Sequence, residues 1–193
     1  MAFALATSSL LKSDKSMLKA ITEIGNSRVI DFDDSRTLGK VTNWIINPTE
    51  KRISAFLVKP AGFFKPNLAV ATIDIIEYGP KLVIVKDESA LVNPTEVISL
   101  PKLIRHRHKV LGNPVVTRSN KHLGKVSEIL FETIDSTIQR IYVEPNILSA
   151  LKQPDLIISA DKIVQIMPNK IIVQNDDYAW QPSAKISTIS SPS

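Results

Sequence analysis

The chain repeats itself, and that duplication restricts its fold more than any other feature. Leu38-Gly39-Lys40-Val41 returns as Leu123-Gly124-Lys125-Val126, an offset of 85 residues. Carried without a gap to Pro60 and Pro145, seven of 23 positions are identical. Apolar positions coincide too: Trp44-Ile45-Ile46 falls on Ile129-Leu130-Phe131, and Phe56-Leu57 on Ile141-Tyr142. Upstream, Ile24-Gly25-Asn26 pairs with Leu111-Gly112-Asn113, and Val29-Ile30 with Val115-Val116. Downstream, Asp74-Ile75 pairs with Asp161-Lys162, and residues 81–85 lie over 169–173. Chance produces a four-residue match easily, but not several blocks in the same order. Each copy spans about 65 residues, enough for a small β fold.

Within each copy the segments read as strands. Ile and Val supply 40 of 193 positions, and branched side chains suit a pleated, half-buried surface. Residues 29–32 and 38–47 flank the polar stretch 33–36 and read as a hairpin. Asn47-Pro48-Thr49-Glu50 makes the next turn. A third strand, 53–58, ends at Pro60, which has no N–H to give the ladder. Residues 68–73 and 82–85 are further strands, and Asp74 and Asp161 are placed to cap short helical turns. The expected fold is all-β, two tandem small β-barrels with short helical turns only. The expected organisation is a tail at 1–17, modules at 18–87 and 110–175, a basic linker at 88–109 and a Ser-rich tail at 176–193.

The pattern resembles the PRC-barrel family. An aliphatic-Gly opening and a valine-rich strand are found in Leu111-Gly112-Asn113-Pro114-Val115-Val116. A glycine-containing second strand ending in acidic and aliphatic residues is found in 123–131, a third in 138–143, and the closing acidic step in 156–161 before 171–173. The first copy fits through Gly25, Gly39, 53–58 and 70–74, with a longer hairpin. The turn glycine common in such hairpins is replaced by Ser35 and Asn120, and Asn tolerates positive φ. The family includes the cytoplasmic part of the photosynthetic reaction-centre H subunit and the C-terminal half of a ribosome-maturation factor. The resemblance implies a fold and a binding role and no shared catalytic set.

Side-chain chemistry points the same way. With no Cys, disulfides, thiolate catalysis and the common structural zinc sites are excluded. The six glycines are too scattered for a dinucleotide or phosphate loop; Gly39 and Gly124 read as strand glycines that permit a bulge, with Gly25 and Gly112 as structural partners. Asp33-Asp34 and Asp176-Asp177 are adjacent in turns, whereas acid–base catalysis needs carboxylates that converge. His106, His108 and His122 lack the carboxylates or thiolates of a metal site. The reading is therefore a non-enzyme with no catalytic residue, cofactor or metal.

Net charge is +5, and one stretch concentrates it. Lys102, Arg105, His106, Arg107, His108 and Lys109 contain no acid among them and form the candidate partner- or anion-binding cluster. No aromatics interleave with it, so any nucleic-acid contact would be to phosphates. No stretch reaches the roughly 18–20 apolar residues that span a bilayer, and the N-terminus lacks the basic region of a secretory signal. The expected role is a cytoplasmic protein-binding or assembly module, with grooves between the modules as the contact. An RNA- or ribosome-associated factor is the first alternative, and a peripheral membrane or photosynthetic-complex assembly factor the second.

Overall fold

The computed structural model of the protein describes residues 17–62, 66–96, 110–145, 155–175 and Tyr178. In chain order the first repeat contains β1 (Leu18–Ala20), the one-turn helix α1 (Ile21–Ile24), β2 (Arg28–Asp31), β3 (Thr37–Asn47), β4 (Arg52–Pro60), β5 (Leu68–Ala71), β6 (Ile75–Gly79), β7 (Leu82–Val85) and β8 (Leu91–Val92). The second contains β9 (Pro114–Thr117), β10 (His122–Glu132), β11 (Ile138–Glu144), β12 (Leu156–Ser159), β13 (Ile163–Ile166) and β14 (Ile171–Val173). Single 3-10 turns at Thr72–Asp74, Glu88–Ala90 and Ala160–Lys162 complete the described elements.

The two copies build the same sheet. One has the order β6-β7-β2-β3-β4-β5-β8; the other has β13-β14-β9-β10-β11-β12, with β1 as its seventh strand pairing on β10 off that path. In each, every pairing is antiparallel except the return to the first hairpin strand, which is parallel: β7 on β2, β14 on β9. Among the described strands the ladders do not close, so the expected barrels are two open seven-stranded sheets. Residues 88–92, placed in the linker on sequence, fold onto the first sheet, where Leu91 lies opposite Val70 and Val92 opposite Ala69.

The hairpins follow their turn chemistry. Ser35 and Asn120 adopt φ of 57° and 64°, the left-handed geometry that a glycine would otherwise supply. Each strand glycine sits beside a bulge. Val29 faces Gly39 while Ile30 faces Thr37, and Val115 faces Gly124 while Val116 faces His122. Leu38 and Leu123 are thereby skipped in the pairing and turn inward, both buried.

Two equivalences shift once backbone hydrogen bonds are followed. Asn26 N–H donates to Val41 O and Gly112 N–H to Val126 O, at 3.0 and 2.8 Å. Asn26 and Gly112 also share a left-handed φ, 64° and 78°. Gly112 is thus the counterpart of Asn26, and Gly25 has φ of −53°. Likewise the two 3-10 turns place Asp74 opposite Lys162 in the repeat, so Asp74 and Asp161 are not counterparts. Nor do they cap these turns: the N-cap positions are Ala71 and Ser159, neither with a side-chain cap bond.

The modules share one interior. A single apolar cluster runs from Val29, Ile53 and Phe56 of the first repeat to Phe131, Ile141 and Ile171 of the second. Phe56 and Phe131 stand 6.4 Å apart, and Tyr78 meets Phe131 edge-on at 5.6 Å. The joint is reciprocal. Ile53 N–H donates to Ser136 O at 2.9 Å, and its counterpart Ile138 donates to Lys51 O at 2.8 Å. Lys51 and Ser136 are counterparts with φ of 51° and 63°, so each hairpin tip twists its carbonyl toward the other repeat.

Candidate functional site

The six cluster residues Lys102, Arg105, His106, Arg107, His108 and Lys109 lie outside the described residues, as do Asp176 and Asp177. His122, considered with them as a ligand, is exposed at the start of β10. Among the described residues no group of three or more His, Cys, Asp or Glu side chains converges.

Asp33 and Asp34 are exposed turn residues, and the residue that organises their turn is one the sequence reading passed over. Asp31 is buried, and its Oδ1 accepts the N–H of Asp33 at 3.0 Å and of Asp34 at 3.5 Å. Arg36 lies 3.8 Å from Asp31 and donates to Glu88 at 3.1 Å, tying the first hairpin to the last 3-10 turn of its repeat. The only signal in sequence was Asp closing an apolar strand, which turn chemistry alone accounts for.

The expected contact region is the joint between the repeats. Phe56, Tyr78 and Phe131 pack against one another there, within one apolar cluster that spans both repeats. A polar contact also crosses between the repeats: Lys51 Nζ donates to Ala160 O at 3.0 Å. On the far side Thr22 donates both its N–H and its hydroxyl to the Glu128 carboxylate, clasping α1 to β10. Glu132 holds the second hairpin tip, its Oε2 accepting from Ile134 and Asp135 N–H at 2.8 and 3.1 Å. Asn47 Oδ1 does the same for the first tip at 3.1 and 3.2 Å, as expected for a turn-starting Asn.

Apolar side chains do reach the surface, on turns and edges. Ile73, expected inside a strand, sits on the 3-10 turn after β5 ends at Ala71 and is 74% exposed. Phe32, just past β2, is 51% exposed. Ile134 and Val164 of the second repeat, and Met17 and Leu18 at the start of the first, are also exposed. Beside Ile73, burial pushes the Asp74 carboxyl above its ordinary range. The helix periodicity or strand alternation that flags a core says nothing of a residue on a turn, so Phe32, Ile73 and Ile134 had no signal.

The PRC-barrel domain model matches the chain twice, over residues 18–92 and 104–177. Together these cover well over half the chain, and the protein belongs to the PRC-barrel domain family as a tandem repeat. The second match opens at Ile104, inside the basic stretch. No curated protein is significantly similar to the chain. Among the described residues, no helix is long and apolar enough to cross a membrane.

Proposed function

We propose that the protein is a non-enzymatic binding and assembly module of the cytoplasm, recognising a protein partner through exposed apolar residues of both repeats. The observation that carries this reading is the shared core. It fixes both sheets in one body, so Phe32 and Ile73 of one repeat and Ile134 and Val164 of the other keep constant spacing. Apolar contacts held rigidly lose little conformational entropy on binding, and two patches on one body raise the effective concentration for a single partner. The cluster 102–109 would add an electrostatic component. Crosslinked affinity purification of the full chain tests the reading. It should recover a stoichiometric protein that Ile73→Asp together with Phe32→Asp releases. No such partner, combined with turnover of a substrate, overturns it.

A second reading, contact with RNA or the ribosome, is favoured by the acid-free run Lys102, Arg105, His106, Arg107, His108 and Lys109. Such contact would be to phosphates and salt-sensitive. Co-sedimentation with ribosomes should then fall with salt and with Arg105→Glu plus Arg107→Glu; sedimentation indifferent to both removes this reading.

A further inference from the structure

The outer face of the first sheet carries an uncompensated row of positive charge. Arg28 of β2 stands opposite Lys40 of β3, and Lys40 opposite Lys59 of β4. Residues directly opposite across a ladder share a face, and all three are exposed. With strands about 4.8 Å apart, the three cations fit within about 10 Å. None of these side chains forms an ion pair among the described residues. Like charges directly opposite one another cost stability, and the fold does not require them. The same row of the second sheet is Pro114, Lys125 and Glu144, in which Lys125 stands opposite an acid. The duplication is thus an internal control: one architecture, with one row neutral and the other left basic. Arg28, Lys40 and Lys59 lie far apart in sequence, so no charge run marks them there.

Beside the row lies an aliphatic strip. Leu82 of β7 stands opposite Arg28, and Ile30, two residues on in β2, stands opposite Ile84. These three side chains are half-buried, and Phe32 follows them just past the end of β2, 51% exposed. Glu77 of β6, exposed and opposite Ile84, bounds the strip on the side away from the lysines. We propose that this surface docks an acidic peptide segment of a partner protein. The peptide's carboxylates would lie on Arg28, Lys40 and Lys59, and its leucine- or isoleucine-type side chains on Leu82, Ile30 and Ile84. The proposal rests on the binding-module reading and adds the partner's chemistry to it. Charge complementarity selects an anion, and the strip selects among anions. A nucleic-acid strand would lay sugars and phosphates over aliphatic carbon and gain nothing there. An anionic bilayer calls for a broad basic field, whereas Glu77 closes this one within two strands of Arg28. Glu77 also sets the direction, because the acids of the peptide must lie toward β4.

The test is a nuclear magnetic resonance titration of the full chain with the peptide acetyl-Glu-Glu-Glu-Gly-Leu-Leu-amide. The amides of Arg28, Lys40 and Lys59 should shift saturably, those of Lys125 and Glu144 should not, and added salt should weaken binding. Lys40→Glu should weaken it about tenfold, through a lost attraction and a new repulsion, whereas Lys125→Glu should leave it unchanged. Lys40→Glu also places an acid between two cations, so its urea midpoint should not fall and the weaker binding cannot be unfolding. Absence of binding, equal affinity for the peptide with Gln in place of Glu, or shifts confined to other surfaces overturns the proposal. Tighter binding of poly-uridylate or of phosphatidylserine vesicles to this row does so too. So does a crosslinked partner that Lys40→Glu together with Lys59→Glu retains. That last result leaves the binding-module reading standing if Ile73→Asp with Phe32→Asp still releases the partner. Recovery of no partner at all strikes that reading, and the titration still decides the row.

Discussion

Gly124 carries the tightest backbone constraint among the described glycines. Its φ is +147°, and a Cβ there would overlap the carbonyl oxygen of Glu144. Gly39 in the first repeat has an ordinary φ, but a Cβ would stand 2.5 Å from Lys59 O. Both glycines are thus needed for the close approach of the second and third strands beside the bulge. Gly124→Ala should cost about 2–4 kcal/mol in urea-unfolding free energy, from strain and overpacking together. Gly112→Ala is the contrast: its φ is +78° with nothing within 4 Å of a Cβ, so about 1–2 kcal/mol is expected from backbone geometry alone. Asp87 supplies a second test. The Ser89 hydroxyl, and then the Ser89 N–H at 2.8 Å, hold its carboxyl below the ordinary range. A depressed carboxylate contributes stability above its unfolded pKa, and that contribution disappears as pH falls through the folded value. Ser89→Ala should move the Asp87 titration upward by NMR, and the difference in urea midpoint between variant and wild type should close as pH drops into that acid window. At this scale the sequence was partly legible. The bulge role of Gly39 and Gly124 and the positive φ of Asn120 follow from residue type. The match of Gly112 with Asn26 did not, because a one-residue slip in an alignment leaves apolar patterns intact and only the hydrogen bonds to Val41 and Val126 decide it.

Among elements, β1 and α1 are the ones whose placement changes the picture. They open the first repeat in sequence yet bind the second: Leu18, Lys19 and Ala20 lie opposite Glu132, Phe131 and Leu130. A three-residue strand and a one-turn helix are far below the length that is stable alone, so their order comes from this docking. Ile21 and Ile24 are buried in it, and Thr22 clasps Glu128 from the exposed side. Thr22→Val removes the clasp and keeps the shape. Because the contact is exposed, a loss of only about 0.5–1 kcal/mol is expected in global stability. Amide exchange is the sharper readout: Ala20 and Phe131 should exchange faster while β4 and β11 are unchanged, and equal effects everywhere would mean the clasp is not local. The strands within each copy were legible because alternation and Pro or Asn punctuation act over a few residues. The docking of β1 was not, since it spans more than 100 positions and leaves no periodic mark. Ile73 shows the complementary failure: an apolar run of 68–73 reads as one strand, but Thr72 turns the chain by donating its hydroxyl to Ile53 O at 3.0 Å.

For the whole molecule, the shared interior sets how the duplication behaves as a protein. Two independent modules would unfold in two steps, each with the stability of its own small core. Here Phe131 of one repeat contacts Phe56 and Tyr78 of the other, and the hairpin tips exchange backbone hydrogen bonds at Ile53 and Ile138. Removing Phe131 therefore removes packing from both halves. Phe131→Ala should cost about 3–5 kcal/mol, the range for truncating a buried aromatic. The decisive feature is which probes respond. Trp44 reports the first repeat once Trp180→Phe removes the only other tryptophan, and the amides of β11 report the second. In wild type the two should follow one urea transition. In Phe131→Ala both midpoints should fall together, although the substitution lies in the second repeat alone. If the Trp44 midpoint stays fixed while the β11 midpoint drops, the repeats fold as separate domains and the constant spacing of their surface apolar residues, on which partner recognition rests here, is lost as an argument.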